Sequence, residues 1–225
     1  MSERMGAKID KRERVYSQEL DAVTAYLADE QKRIGVRRIE QGPRECHLKR
    51  TLTPEKLQTL HALRFEVMIS DHNNGLSLYT GQKGATEPLN LTSSFPKHDM
   101  EGKMRTDKEA RFTLHNHPNY TSSPSAGDFH ASGSRNSEVD FILGKDGITF
   151  HKSKDIFDVT AVDFQVTRDM RRKYFPQSVI NRDLKKGRIN GFIPWGDPRL
   201  HLVCEYMNNE HATWADYEKR LQNKK

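Results

Sequence analysis

Cysteine is nearly absent: the 225 residues hold two, Cys46 and Cys204, one toward each end of the chain. Two thiols so far apart do not make a disulfide framework, and alone they cannot supply a structural zinc cluster. A reducing compartment, the cytoplasm, is therefore expected. Hydrophobic residues are scarce too, 34% against 30% charged, and no apolar run approaches the length that crosses a bilayer. The stretch Met1 to Arg14 is rich in charge and lacks the apolar centre of a secretory signal. No internal repeat or low-complexity tract is present, and there is no strong excess of one charge. A net charge of +6 is modest for this length and is compatible with an acidic partner, a nucleic acid or nothing specific. These absences leave a folded protein with a compact core and a heavily solvated surface, built as one sizeable domain with additions or two small ones.

Hydrophobic spacing gives the elements. Val15, Tyr16, Leu20, Val23, Tyr26, Leu27 and Ile34 approximate helical spacing, which predicts a helix from about Ala7 to Ile34 with Gly35 as its stop. A basic connection with Gly42-Pro43 follows. Thr53-Pro54-Glu55 then starts a helix through Leu57, Leu60 and Leu63, with Thr53 as cap and Pro54 at the first helical position. Phe65 to Ser70 and Leu76 to Tyr79 read as a hairpin about the turn signal Asp71-His72-Asn73-Asn74-Gly75. Gly81 to Lys108 reads as a long loop close to a site. Arg111 to His117 reads as a strand ended by Pro118, with Phe112 and Leu114 on one side and Thr113, His115 and His117 on the other. A second hairpin joins Val139–Leu143 to Ile148–His151 through Gly144 to Gly147. Pro176 breaks the basic segment from Val162 to Arg188, and Leu200 to Leu221 looks helical. The organisation expected is a helical extension over 1–52, a central metal-binding domain over 53–160, and a basic, mostly helical extension over 161–225.

The chemistry is concentrated in His115-Asn116-His117-Pro118 and, after six intervening residues, Ser125-Ala126-Gly127-Asp128. Histidines two apart on a strand face one side, so both can approach one ion, and Asp128 returns on the first turn of the next element. Two imidazoles and a carboxylate hold zinc on three sides and leave a position for water, whose pKa then falls to about 7. Hydrolysis is the natural use. It needs a donor to the developing oxyanion, for which Ser125 is placed, and a base. Glu66 is the candidate base because it interrupts the apolar run Phe65 to Ile69, whereas Glu101 and Glu109 lie in a polar loop. Ser-x-x-Asp is also a helix-capping pattern. His72, His98, His130 and His151 read as surface or loop residues. The literal string His-Asn-His is not read as a nuclease, because nucleases of that name spread those residues over a hairpin and helix.

His115-x-His117-Pro118 followed by Ser125-x-x-Asp128 resembles the signature of the JAB/MPN/Mov34 (JAMM) metalloenzymes, which include zinc isopeptidases acting on ubiquitin-like conjugates. The asparagine between the histidines is closest to the bacterial RadC-like and phage-associated branches, although their pattern continues from the proline into Ser-Gly, where this chain has Asn119-Tyr120. The resemblance implies an α/β, cytidine-deaminase-like domain with a mixed curved sheet flanked by helices. It implies Zn2+ on His115, His117 and Asp128, Glu66 as general base, Ser125 as oxyanion donor, and a protein or peptide substrate. The alternative it permits is a DNA-associated or scaffolding protein that keeps the metal, with nucleic acid met by the basic residues Arg168, Arg171, Arg172, Lys173, Arg182, Lys185, Lys186 and Arg188. No membrane partner is expected.

Overall fold

The computed structural model describes residues 17–42, 44–72, 75–80, 87–88, 110–118, 121–124, 128, 137–152 and 176–223. The first helix, α1, spans Leu20–Ile34 and buries Leu20, Val23 and Leu27, as their spacing predicts. It begins later than the sequence pattern suggests, because the main chain of Gln18 is already committed to a strand. Its N–H donates to the His47 carbonyl at 2.8 Å, and its own carbonyl accepts from Lys49 N at 2.8 Å. Residues 7–16 of the expected helix lie outside the described residues. Gly35 ends α1 with φ at +81°, a conformation open to glycine and strained for other residues.

The basic connection expected next holds two elements instead. These are a short helix α2, Val36–Gln41, and a strand β1, Arg44–Leu48. Arg-Glu-Cys-His-Leu has no clean apolar alternation, and its strand pairing comes from distant partners, from Thr80 opposite Arg44 to Leu76 opposite Leu48. Helix α3, Pro54–His61, starts as read: the Thr53 hydroxyl accepts from Lys56 N at 3.3 Å, and Pro54 occupies the first turn, where its missing N–H costs nothing.

Strands β2 (Val67–His72) and β3 (Gly75–Thr80) form the expected hairpin, in register from Val67 opposite Thr80 to His72 opposite Gly75. Glu87–Pro88 makes a two-residue strand, β4, within the stretch read as loop. Then come β5 (Phe112–Asn116), β6 (Val139–Gly144) and β7 (Gly147–His151). Pro176 begins a helix, α4 (Pro176–Lys185), and so delimits the segment from its first position. A short strand β8 (Gly191–Pro194) follows, bounded by the glycine and proline that hid it from pattern reading. The C-terminal helix is two helices, α5 (Leu200–Asn208) and α6 (Trp214–Asn223). Between them the Asn209 backbone turns extended and its side chain accepts from His211 N at 3.1 Å, an asparagine turn that competes with helix.

The architecture is mixed α/β: one open, mostly antiparallel sheet in the order β4-β1-β3-β2-β5-β6-β7-β8, with helices packed on it. Among the strands of the described residues, only β1–β4 and β5–β6 are parallel pairs. The sheet draws strands from all three expected segments, and one hydrophobic core runs from Leu20 to Leu221. Its densest part is aromatic: the Trp214 ring sits 5.1 Å from Phe141, Phe150 and Tyr206, in edge-on geometry. Beside the core strands a polar row crosses the sheet. Ser77, Ser70, Thr113, Asp140 and His151 are successive cross-strand partners, all buried. His151 is therefore an interior residue, not the surface or loop residue expected. Among the described residues no helix is long and apolar enough to cross a membrane.

Glu19, ahead of α1, joins that helix to α3. It accepts from the Thr51 hydroxyl at 2.5 Å and from Lys56 Nζ at 3.0 Å, and lies 3.2 Å from Lys49 Nζ. These three hold its carboxyl at about 2, in that order of effect. A carboxyl depressed on folding stabilises above its unfolded pKa of about 4.3 and loses that contribution as pH falls through the folded value. In Glu19→Gln the slope of stability against pH between about 5 and 2 is expected to be shallower, as read by thermal melts across that range.

Candidate metal centre

The parallel pairing of β5 with β6 positions the site. Parallel neighbours require a crossing connection, and this one leaves the end of β5 at His117 and carries Asp128 before β6 begins. His115 and His117 project to one side of the strand end. Phe112 and Leu114, fully buried, anchor it from the core. Asp128 completes a converging set. His115 Nε2 lies 3.1 Å from Asp128 Oδ1, His117 Nε2 lies 3.1 Å from Asp128 Oδ2, and the two Nε2 atoms are 3.2 Å apart. These three groups can hold a metal ion. Two imidazole nitrogens and a carboxylate are a donor set that suits zinc, and one such atom from each residue lies within 4.8 Å of the others.

The electrostatics agree with the donor set. Burial pushes the Asp128 carboxyl up, but the two histidines outweigh it and hold the group well below the usual carboxylate range. It is an anion at neutral pH, as a ligand must be. The His117 ring is oriented by its other nitrogen, Nδ1, which donates to the Thr121 carbonyl at 3.0 Å and leaves Nε2 as the lone-pair atom. That carbonyl is itself fixed. Ser122 N donates to Asp146 Oδ1 at 2.9 Å, the Thr149 hydroxyl donates to the Ser122 carbonyl, and the Ser123 hydroxyl donates to Asp183. Behind this loop lies Gly144, with no room for a side chain: a Cβ there would meet Ser122 N at 1.9 Å and the Thr121 carbonyl carbon at 2.3 Å. Gly144→Ala is expected to displace the Thr121 carbonyl and weaken zinc binding by about 10–100-fold, the usual cost of losing a partner behind a ligand. Competition with a chromogenic chelator reads the change; unaltered affinity would show that the loop does not orient His117.

Glu66 stands one residue before β2, not within it, between the buried side chains of Phe65 and Val67. Its own side chain is 63% exposed, and Oε1 lies 4.0 Å from His115 Nε2. The structure thus brings Glu66, His115, His117 and Asp128 together. Ser125 lies outside the described residues, as do Glu101, Glu109, His98 and His130.

Several neighbours carried no sequence signal. His61, the last residue of α3, meets the His117 main chain; burial pushes its imidazole below the usual range, against the opposing effects of that contact and of Asp146. Thr121 and Asp146 belong to a loop and a turn whose docking only the fold reveals. Asn116 was legible only as the residue between two ligands, yet it is fully buried, its amide bonded at one end to Val67 of β2 and at the other to Phe65, two residues before that strand. The cysteines do not contribute: burial pushes the Cys46 and Cys204 thiols up to about 12, so both remain protonated. Part of the basic cluster is also turned inward. Arg188 is buried, and it and Arg182 lie 3.4 Å and 3.1 Å from Asp183, while Lys185 and Lys186 are exposed. Arg168, Arg171, Arg172 and Lys173 lie outside the described residues.

No protein-family model, no curated protein and no solved structure matches the chain.

Proposed function

We propose that this chain is a zinc-dependent metallohydrolase of the JAMM type, cleaving an amide or isopeptide bond in a protein or peptide, ubiquitin-like conjugates included. One observation carries the reading: a His-His-Asp ligand set has beside it a separate, solvent-facing carboxylate, Glu66, 4.0 Å from His115 Nε2. A structural zinc site uses four protein ligands and has no need of an acid standing outside them. Zinc bound by His115, His117 and Asp128 would supply Lewis acidity and bring the pKa of water to about 7. The chain's own groups do the rest. His117 is held in the ligating tautomer by Thr121, and Asp128 contributes the negative charge. Glu66 takes a proton from the attacking water and returns it to the departing amine, which its solvent exposure permits. Ser125 is assigned the oxyanion-donor role by its place in the motif. The hairpin, ligand strand and return to Asp128 follow in the order the JAMM resemblance implies, which supports the same reading.

The test is cleavage of a peptide library by the zinc-loaded full chain, read by mass spectrometry beside Glu66→Gln. Removing a general base is expected to lower turnover by about 10²–10⁴-fold while zinc stays at wild-type stoichiometry. Equal cleavage by Glu66→Gln and wild type would contradict the assignment.

A further inference from the structure

We infer that Asn116 is a positioning residue for Glu66, fixing the carboxylate to the same strand that carries the two histidine ligands. The inference rests on reading Glu66 as the base. Asn116 Oδ1 accepts from Val67 N at 2.7 Å, and Asn116 Nδ2 donates to the Phe65 carbonyl at 3.0 Å. The first bond holds the peptide unit that follows Glu66, and the second holds the one that precedes it. With both planes fixed, the direction in which the Glu66 side chain leaves the backbone is fixed as well.

The arrangement extends a ladder that has run out of backbone. Pairing of β2 with β5 ends at Met68 opposite His115. Beyond that point the carboxamide of Asn116, a donor and an acceptor side by side, takes the place of the next peptide group. Its orientation is settled by its partners, because the reverse would set nitrogen against N–H and oxygen against C=O. No other residue type reproduces this. Aspartate has no donor, glutamine adds a methylene, and serine offers one hydroxyl for two partners. Three consecutive residues thus have three linked tasks: His115 and His117 face the ion, and Asn116, leaving the strand on the other side, sets the base. Glu66 is thereby tied to β5, which carries His115 and ends one residue before His117.

The experiment uses the isotopically labelled full chain, metal-free and then loaded with Co(II). In the metal-free wild type, the Val67 amide is expected to exchange slowly and the Glu66 side chain to show a nuclear Overhauser contact to the His115 ring. Asn116→Ala is expected to speed Val67 exchange by about tenfold or more, leave Met68 to Ser70 unchanged and abolish that contact. In the Co(II) form the paramagnetic shift of the Glu66 side chain shrinks, while binding stays at the wild-type ratio. Should Asn116→Ala not fold, Asn116→Ser takes its place, and scalar coupling across the hydrogen bond from Val67 to the Asn116 carboxamide is read in the wild type itself. In hydrolysis, Asn116→Ala lowers kcat by about 100-fold with KM unchanged, but has no further effect in a Glu66→Gln background. A purely structural asparagine would cost the same in both backgrounds. Unchanged Val67 exchange together with a retained Glu66–His115 contact overturns the inference. Absence of metal binding, or full activity in Glu66→Gln, overturns the hydrolase reading instead, and the metal-free measurements still decide the role of Asn116.

Discussion

Asp71→Ala is expected to lower the unfolding free energy by about 3–5 kcal/mol, the cost of removing one partner from a buried charge network. Asp71 sits in β2 with its side chain 2% exposed, between two guanidinium groups. Arg50 donates to it through Nη1 at 2.9 Å and Nη2 at 2.6 Å, and Arg111 through Nε at 2.8 Å. The same two arginines donate to the carbonyls of Tyr206, Met207 and Ala212, at the end of α5 and in the turn after it. There they also meet the negative end of the helix dipole. Without the carboxylate, two cations remain in a half-buried space with too few acceptors, and the junction of β2, β5 and α5 loosens. Since domains of this kind have only about 5–15 kcal/mol in total, the variant stands near the edge of folding. Urea unfolding reads the effect as a lower midpoint at unchanged slope. Asp71→Asn keeps the shape and loses the charge, so a smaller but substantial loss is expected. A change below about 1 kcal/mol for alanine would mean that the arginines find other partners at no cost. The knot bears on the site too, because Arg111 is the residue before β5 and its N–H donates to the Asp71 carbonyl at 2.8 Å. It sets where the ligand strand begins.

The second large effect is on metal. Asp128→Ala is expected to abolish stoichiometric zinc binding, a greater loss than the roughly 10–100-fold that follows removal of a group behind a ligand. Asp128 is the only anion of the ligand set, it lies 3.1 Å from each imidazole, and its carboxyl is held ionised by them. Deleting it leaves two neutral donors on one strand, which cannot enclose an ion. Zinc bound by these three groups would also act as a folding ligand: if it binds only the native state, saturating zinc raises the melting temperature of the wild type. That increment, measured for each protein against its own metal-free melting temperature, is expected to vanish in Asp128→Ala. Retention of tight zinc by Asp128→Ala would place the site elsewhere.

What was readable in the sequence follows the range of the interactions. His115 on β5 and His117, one residue past its end, sit two positions apart in extended chain, so alternation alone aligned them, and the turn residues of both hairpins announced themselves locally. Thr53 and Pro54 likewise carried the start of α3 within four residues. What was missed depends on distant partners. Strands β1 and β8 are short and gain their hydrogen bonds from β3 and β7, so neither shows an alternating pattern of its own. The amide of Asn116 meets Val67 across 49 positions, and Arg111 meets Asp71 across 40. No window of local sequence contains either pair. The split between α5 and α6 was local but turned on one asparagine side chain competing with the helix, against hydrophobic spacing that runs through the break. Glu66 lies between these cases: its place in an apolar run singled it out, and its approach to His115 required the fold.

The proposed binding of zinc by two imidazoles and a carboxylate is tested most directly by X-ray absorption at the zinc edge of the loaded protein. A site made by His115, His117 and Asp128 predicts nitrogen and oxygen scatterers only, at about 2.0–2.2 Å, with the outer-shell signature of imidazole rings. That signature should be lost in Asp128→Ala along with the metal. Sulfur scatterers at about 2.3 Å, or a shell of water oxygens without imidazole, would contradict it.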